Sequence, residues 1–473
     1  MAKMLFFRII CEVIAGMLIF AGSALGETGE SGMAMAMDSL PVSPHYPAAL
    51  RGGALPDMED EAFVSDFTAW WDAQRAWLNA QTDHRDALDG LFRACLPAFL
   101  AGDGAANPMV SPVSLALTLV TLRERTRENG SREISAALGY DPLDAPSTGP
   151  SLCDTLRWDD GDTACVPGAS LWLNADVTID ANAAQTLAGT AHTSVYRGDL
   201  TSADGELAAW VSAWTNGLDD GEGLSLGEGA RMAIFTSLRL SGRWLSPFRE
   251  ADTVEGVFHA PNGDVRARFM RSEAEGVLYT GARFTGMVEG MGEMGEILFL
   301  LPAEGVDVRE MLTDAEALAF LQAGSDWEAR EYVRVSAAVP KLTLNGRVDG
   351  RAALENLGVT AIFDPQRADF TPGLNPVVPV RDDAAEVIAE ITPDSGEALW
   401  LDALWQVLPL SLSEWGVNVS PLELSEVEGL EPMNVGLIAP SGNTAEFNLN
   451  RPFMWAILGR DRLPMLVGVV NRM

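Results

Sequence analysis

The sequence predicts an α+β fold organised around a large mixed sheet. Three observations carry this. Helical and strand patterns mix along the chain without strict alternation, which argues against a doubly wound fold. Several short apolar or β-branched runs have the length of strands buried on both faces. And of 473 residues 47% are hydrophobic and only 21% charged, enough to bury a large core.

The elements follow in order. Lys3 and Arg8 precede an apolar run over residues 13–22 and the small residues Gly22, Ser23 and Ala24, the pattern of a secretory signal peptide over 1–26. The run is too short to cross a bilayer comfortably, so the chain is expected to be secreted or otherwise extracytoplasmic, with no membrane association after cleavage. Residues 27–60 are Met-rich and acidic, without periodicity, and read as a disordered leader. Phe63, Phe67, Trp70, Trp71, Trp77 and Leu78 recur at helical spacing and predict an amphipathic helix over 61–81.

The main domain spans 82–473. Residues 86–101 and Pro112–Arg123 carry helical periodicity, and Ser111 is placed to cap the second helix, where Pro112 loses nothing by lacking an N–H. Residues 168–173, 297–301, 332–339 and 465–470 read as strands, and Asn216-Gly217 as a turn.

Charge and motifs exclude several functions. A formal charge of -35 would repel nucleic acid and anionic membranes. His45, His84, His192 and His259 have no i, i+4 partner and no CxxC occurs, so no metal or other cofactor is expected. Cys153 and Cys165 could close a small loop in an oxidising compartment, while Cys95 sits in an apolar helix as a buried thiol. The GxGxxG of Gly290 to Gly295 runs into a strand where a phosphate site needs a helix, and reads as a turn. With no GxSxG elbow or Walker motif, the chain is not expected to be an enzyme.

A series of motifs is more specific. Asn107-Pro108-Met109-Val110-Ser111-Pro112-Val113-Ser114-Leu115 is followed by Glu128-Asn129-Gly130-Ser131-Arg132-Glu133-Ile134, Trp210-Val211-Ser212-Ala213-Trp214-Thr215-Asn216-Gly217 and Gly242-Arg243-Trp244-Leu245-Ser246-Pro247-Phe248. Thr253 and Phe258, Phe269-Met270, Leu298-Phe299-Leu300-Leu301-Pro302, Val339-Pro340-Lys341, Leu357-Gly358-Val359 with Phe363, and Ala368-Asp369-Phe370 continue it. The chain closes on Asn450-Arg451-Pro452-Phe453 and Val467-Gly468-Val469-Val470-Asn471. In order and spacing the series resembles the serpin family over residues 82–473. The resemblance implies large mixed β-sheets ringed by helices and an exposed reactive loop. It also implies a serine protease inhibitor whose loop is cleaved and then inserts into the main sheet, trapping the protease.

The resemblance places the shutter at Ser111, Ser114, Thr236, where Asn is usual, and Ala385, where His is usual; Trp244 falls at the breach where the loop enters the sheet. The hinge falls at Pro393, Ser395, Gly396, Glu397 and Ala398, and the reactive-loop region, about 395–445, is lengthened and rich in aromatics. This hinge would bury a carboxylate and a tryptophan on insertion, a substantial cost. Counting from the hinge puts the scissile bond at Leu410-Ser411; counting back from Asn450 puts it at Ser441-Gly442. Neither offers Arg or Lys, so the expected partner is an extracellular or periplasmic serine protease of chymotrypsin-like or elastase-like preference, met by a monomer. The alternative is a non-inhibitory binding scaffold that uses the aromatic stretch.

Overall fold

The computed structural model describes residues 82–102, 106–141, 158–159, 163–190, 193–227, 229–292, 295–371, 374, 399–419, 443–459 and 462–473, with 38–39, 65–66 and 68–69. The signal peptide, the leader except Asp38–Ser39, which pairs as a strand with residues 196–197, and almost all of the 61–81 helix lie outside them.

The helices are α1 (Thr82–Leu100), α2 (Pro112–Arg123), α3 (Glu128–Leu138), α4 (Ala181–Thr190), α5 (Asp204–Trp214), α6 (Ala315–Ala323) and α7 (Gly350–Asn356). The strands run from β1 (Asp38–Ser39) and β2 (Met109–Val110) through β3 (Trp158–Asp159), β4 (Ala164–Asn174), β5 (Thr193–Gly198) and β6 (Met232–Arg243). Then come β7 (Val254–Ala260), β8 (Gly263–Thr280), β9 (Phe284–Gly290), β10 (Glu296–Pro302), β11 (Arg330–Pro340), β12 (Leu342–Leu344) and β13 (Arg347–Asp349). The last are β14 (Ala403–Val407), β15 (Leu410–Ser413), β16 (Gly416–Val417), β17 (Thr444–Asn448), β18 (Phe453–Leu458) and β19 (Pro464–Val470). All four strand segments read from the sequence lie inside β4, β10, β11 and β19.

Among the described residues these form two mixed sheets. One is centred on β4 and β6 and continues through β16, β15 and β12, with β13 and β14 at the other end of β6; the other runs β17-β11-β8-β9-β10-β18-β19-β2. The main core contains α2 residues Val113, Leu115 and Leu119 together with Ile234 and Leu238 of β6 and Leu466 and Val467 of β19. A second core lies on the opposite face of β6, where Phe235, Val407 and Trp172 meet Leu207, Trp210 and Val211 of α5. Gly168 of β4 permits this closeness, because a Cβ there would stand 2.3 Å from the Trp214 ring. Strand β6 is therefore covered on both faces.

Local chemistry agrees with the sequence where it is simple. Ser111 is the N-cap of α2, accepting from the Ser114 N–H at 3.1 Å, an arrangement worth about 1 kcal/mol. Asn216 and Gly217 both take positive φ at the turn after α5. Gly290 ends β9 and Gly295 precedes β10, an antiparallel pair, so the GxGxxG run lies between two strands. Cys95 is buried, and desolvation pushes its thiol pKa up, out of the reactive range. Cys165 is buried with its sulfur 3.8 Å from Met465 Sδ, while Cys153 lies outside the described residues.

Candidate functional site

The site is built on the length of β6. At its start residues 233–237 pair in parallel with β14, from Ala403↔Ala233 to Val407↔Ser237. At its end Gly242 and Arg243 pair antiparallel with Val417 and Gly416 of β16, whose other edge meets Leu412 and Ser413 of β15. β14 and β15 are successive parts of one extended stretch. After β15 the chain turns at Glu414-Trp415 and comes back between β15 and β6. Two residues are thus wedged into the upper end of a seam that β14 closes below.

The wedge follows from its residues. Gly416 has φ +148, and a Cβ there would sit 2.1 Å from the Gly242 carbonyl oxygen, so no other residue fits without displacing β6. Val417 is fully buried in the main core beside Leu412, a burial worth about 1.5–3 kcal/mol.

The turn is held from three sides. The Glu414 carboxylate, 2% exposed, receives Lys341 Nζ at 2.6 Å and the Thr253 hydroxyl at 2.7 Å. Burial pushes its pKa up, but the Lys341 and Thr253 bonds outweigh burial and hold it below the usual carboxylate range. The Phe248 N–H donates to the Glu414 carbonyl at 3.0 Å, and the Trp244 N–H to that of Trp415 at 3.1 Å. The Trp244 indole Nε1 donates to the Ser413 carbonyl at 2.9 Å, and its ring meets Phe248 edge-on at 6.2 Å. Trp244 therefore packs against and anchors the turn.

Lower down, a polar cluster joins β14 to α2. Gln406, fully buried, accepts the Ser111 N–H at 3.1 Å through Oε1 and donates through Nε2 to the Ser111 carbonyl at 3.2 Å. The Ser111 hydroxyl reaches that of Ser114 at 2.9 Å, and the Thr236 hydroxyl donates to the Trp405 carbonyl at 3.3 Å. Parting β14 from β6 would break this last bond, and moving β14 away from α2 would break the Gln406 pair.

These placements revise the sequence reading. Ser111, Ser114 and Thr236 come together, but the side chain that completes their cluster is Gln406; Ala385 lies outside the described residues. Leu410 and Ser411 are not on an exposed loop: Leu410 is 2% exposed in β15, paired with Leu344 on β12, so a protease cannot reach that bond. Pro393, Ser395, Gly396, Glu397 and Ala398 also lie outside the described residues. Beyond them residues 403–407, 410–413 and 416–417 are strands paired within the sheet. Ser441 and Gly442 are outside the described residues. Glu414, Gly416 and Gln406 were missed, although the Glu-x-Gly of 414–416 was available as a signal.

Comparison with known proteins agrees with this architecture. Residues 95–473 match the family model described as Serpin (serine protease inhibitor), and the chain belongs to the serpin family. It is accordingly not an enzyme. Bovine plasminogen activator inhibitor 1 is 28% identical over 174 residues, covering 34% of this chain and 42% of that protein. An alpha-1-antitrypsin-like protein of Ictidomys tridecemlineatus is 24% identical, covering 65% of this chain and 76% of that protein. A putative non-inhibitory serpin-10 of Oryza sativa subsp. japonica is 23% identical over 408 residues, 78% of this chain and 95% of that protein. Among solved structures, the native thermophilic serpin tengpin superposes with a TM-score of 0.66 at 18% identity, covering 82% of this chain and 94% of that one. Human thyroxine-binding globulin has the same TM-score and identity, covering 81% and 98%. At such identities the structures establish the fold alone.

Proposed function

We propose that this serpin is an exported inhibitor of a serine-type protease, acting through the segment between β16 and β17, residues 418–443, which is cleaved and then inserts as a strand between β6 and β14. The observation that carries this reading is the position of Gly416–Val417, already paired with β6 on one edge and β15 on the other. Insertion would continue what the hinge has begun. The register supports it: pairing Val417 with Gly242 and with Leu412 extends, residue by residue, to a strand whose two neighbours are the β6 and β14 residues now paired to each other. Such a strand would keep the register of both flanks once β6 and β14 part by one strand spacing.

The same register identifies the side chains that would face the core. Val417 faces it now, so alternation assigns Val419, Pro421, Glu423 and Ser425 to the same side. Tryptophan is absent from that set, unlike the set the upstream hinge position implied. Val419 and Ser425 suit burial. Pro421 would lose a ladder bond, and Glu423 would enter beside Thr236 and Gln406.

The forward count that reaches Leu410 from Gly396 reaches Leu430-Glu431 from Gly416. An apolar residue there favours a chymotrypsin-like or elastase-like target over a trypsin-like one. Pro421 and Glu423 favour a second reading, in which insertion is too slow and the fold serves as a non-inhibitory binding scaffold, as the name of the rice relative describes that protein.

The test is incubation of the mature chain with a chymotrypsin-like and an elastase-like protease, followed by denaturing gel electrophoresis and mass spectrometry. A covalent complex and a released peptide beginning at Glu431 are expected. Clean cleavage with no complex and no rise in melting temperature would give the lead to the scaffold.

A further inference from the structure

Immediately after the wedge, Asn418 turns the chain out of the sheet with φ +53, a conformation Asn accepts more readily than most residues. Its side chain does not leave with it. Nδ2 donates to the Leu240 carbonyl of β6 at 2.8 Å and to the Pro409 carbonyl at 3.3 Å, while Oδ1 accepts the Ser411 N–H of β15 at 2.6 Å. The Asn418 N–H donates to the Ser411 carbonyl at 2.8 Å. One amide side chain thus spans the seam and occupies backbone groups on both flanking strands. In a continuing strand the backbone of residue 419, opposite Leu240 and Leu410, would lie in the same stretch of the seam.

We propose that Asn418 sets the depth of hinge insertion, standing in for the next rung of the ladder and stopping the strand after Val417. The proposal rests on the insertion reading and names its regulation. The direction of the effect comes from the cost of each alternative. Withdrawal would expose Val417 and open the pairings of Gly416 and Val417 to Arg243, Gly242, Leu412 and Ser413. Advance would exchange the side-chain bonds of Asn418 for main-chain bonds and bring apolar Val419 against Leu240 and Leu410, both buried. Once the Asn418 side chain is gone, advance is favoured. The wild-type amide removes that incentive by satisfying the strands in advance.

The experiment is hydrogen exchange on the uncleaved full-length chain, read on peptides covering residues 416–422. In the wild type the Val419 amide should exchange as a solvent-facing group. Asn418→Ala loses the bonds and makes the left-handed turn unfavourable, and should slow exchange at Val419 by about tenfold, the effect of one new ladder bond. Asn418→Gly keeps the turn without the bonds and should give a smaller gain; it also serves if the alanine variant folds poorly. Unchanged exchange at Val419 in both variants, or faster exchange at Gly416 and Val417, would overturn the stop. A separate measurement keeps the underlying reading distinct. If loop cleavage of the wild type brings no rise in melting temperature, the insertion reading fails, while the exchange data still decide what Asn418 does.

Discussion

Glu414 shows how one side chain can tie the turn after β15 to the body of the protein. It is buried, its two oxygens are taken by Lys341 and Thr253, and its own carbonyl is taken by Phe248. Because its folded pKa lies below the ordinary value of 4.5, the ionised form is the one the fold prefers. Its contribution is therefore fully present above about 4.5 and is lost as pH falls through the lower folded value. Glu414→Gln retains an acceptor for Thr253 but not the charge facing Lys341. Lys341 is 32% exposed and can turn to water, so the loss at pH 7 should be moderate, about 1–2 kcal/mol. Urea unfolding of wild type and variant checks this. The two curves should differ at pH 7 and converge as the wild-type carboxylate protonates. A difference that persists in acid would assign the effect to packing.

At the scale of elements, the proposed insertion requires the seam between β6 and β14 to be both closed and openable. Five residue pairs join the strands, and Gln406 and Thr236 add polar links to α2 and across the seam. Gln406→Ala leaves the Ser111 N–H buried without its partner, at about 1–3 kcal/mol, while the Ser111 carbonyl keeps the Leu115 N–H at 3.0 Å. The expected outcome is a lower urea midpoint with an unchanged m-value, since the same surface is exposed on unfolding. A changed m-value would mean that β14 has already separated in the variant. These elements also show what the sequence reveals and what it hides. β10 and β19 announce themselves as apolar runs, and α2 by its cap, proline and periodicity. β14 and β15 do not, because strands with cores on both faces show no alternation: Leu404 faces one core and Trp405 packs against the other. Pro409 between them looks like a loop signal, and Ser395-Gly396-Glu397 looks like a hinge.

For the molecule as a whole, the proposed inhibition turns on whether insertion outruns hydrolysis of the trapped enzyme. The register set by Val417, Gly242 and Leu412 makes this a matter of particular residues. Pro421 would arrive opposite Leu238 and Leu408 without an N–H for the ladder. Glu423 would arrive between Thr236 and Gln406, the polar spot in an otherwise apolar seam, and would have to bond Gln406 or take up a proton. Both would slow the insertion that the proposed inhibition depends on. Replacing them together, Pro421→Ala with Glu423→Ala, restores a ladder donor and removes a buried charge. Each 1.36 kcal/mol taken from the insertion barrier is worth a factor of about ten in rate, so the ratio of covalent complex to cleaved chain should rise by at least about tenfold. Quantitative gel densitometry over a titration of protease reads that ratio directly. If it stays fixed while cleavage still occurs at Leu430, insertion is not limited by these two side chains, and the strand enters in another register or not at all.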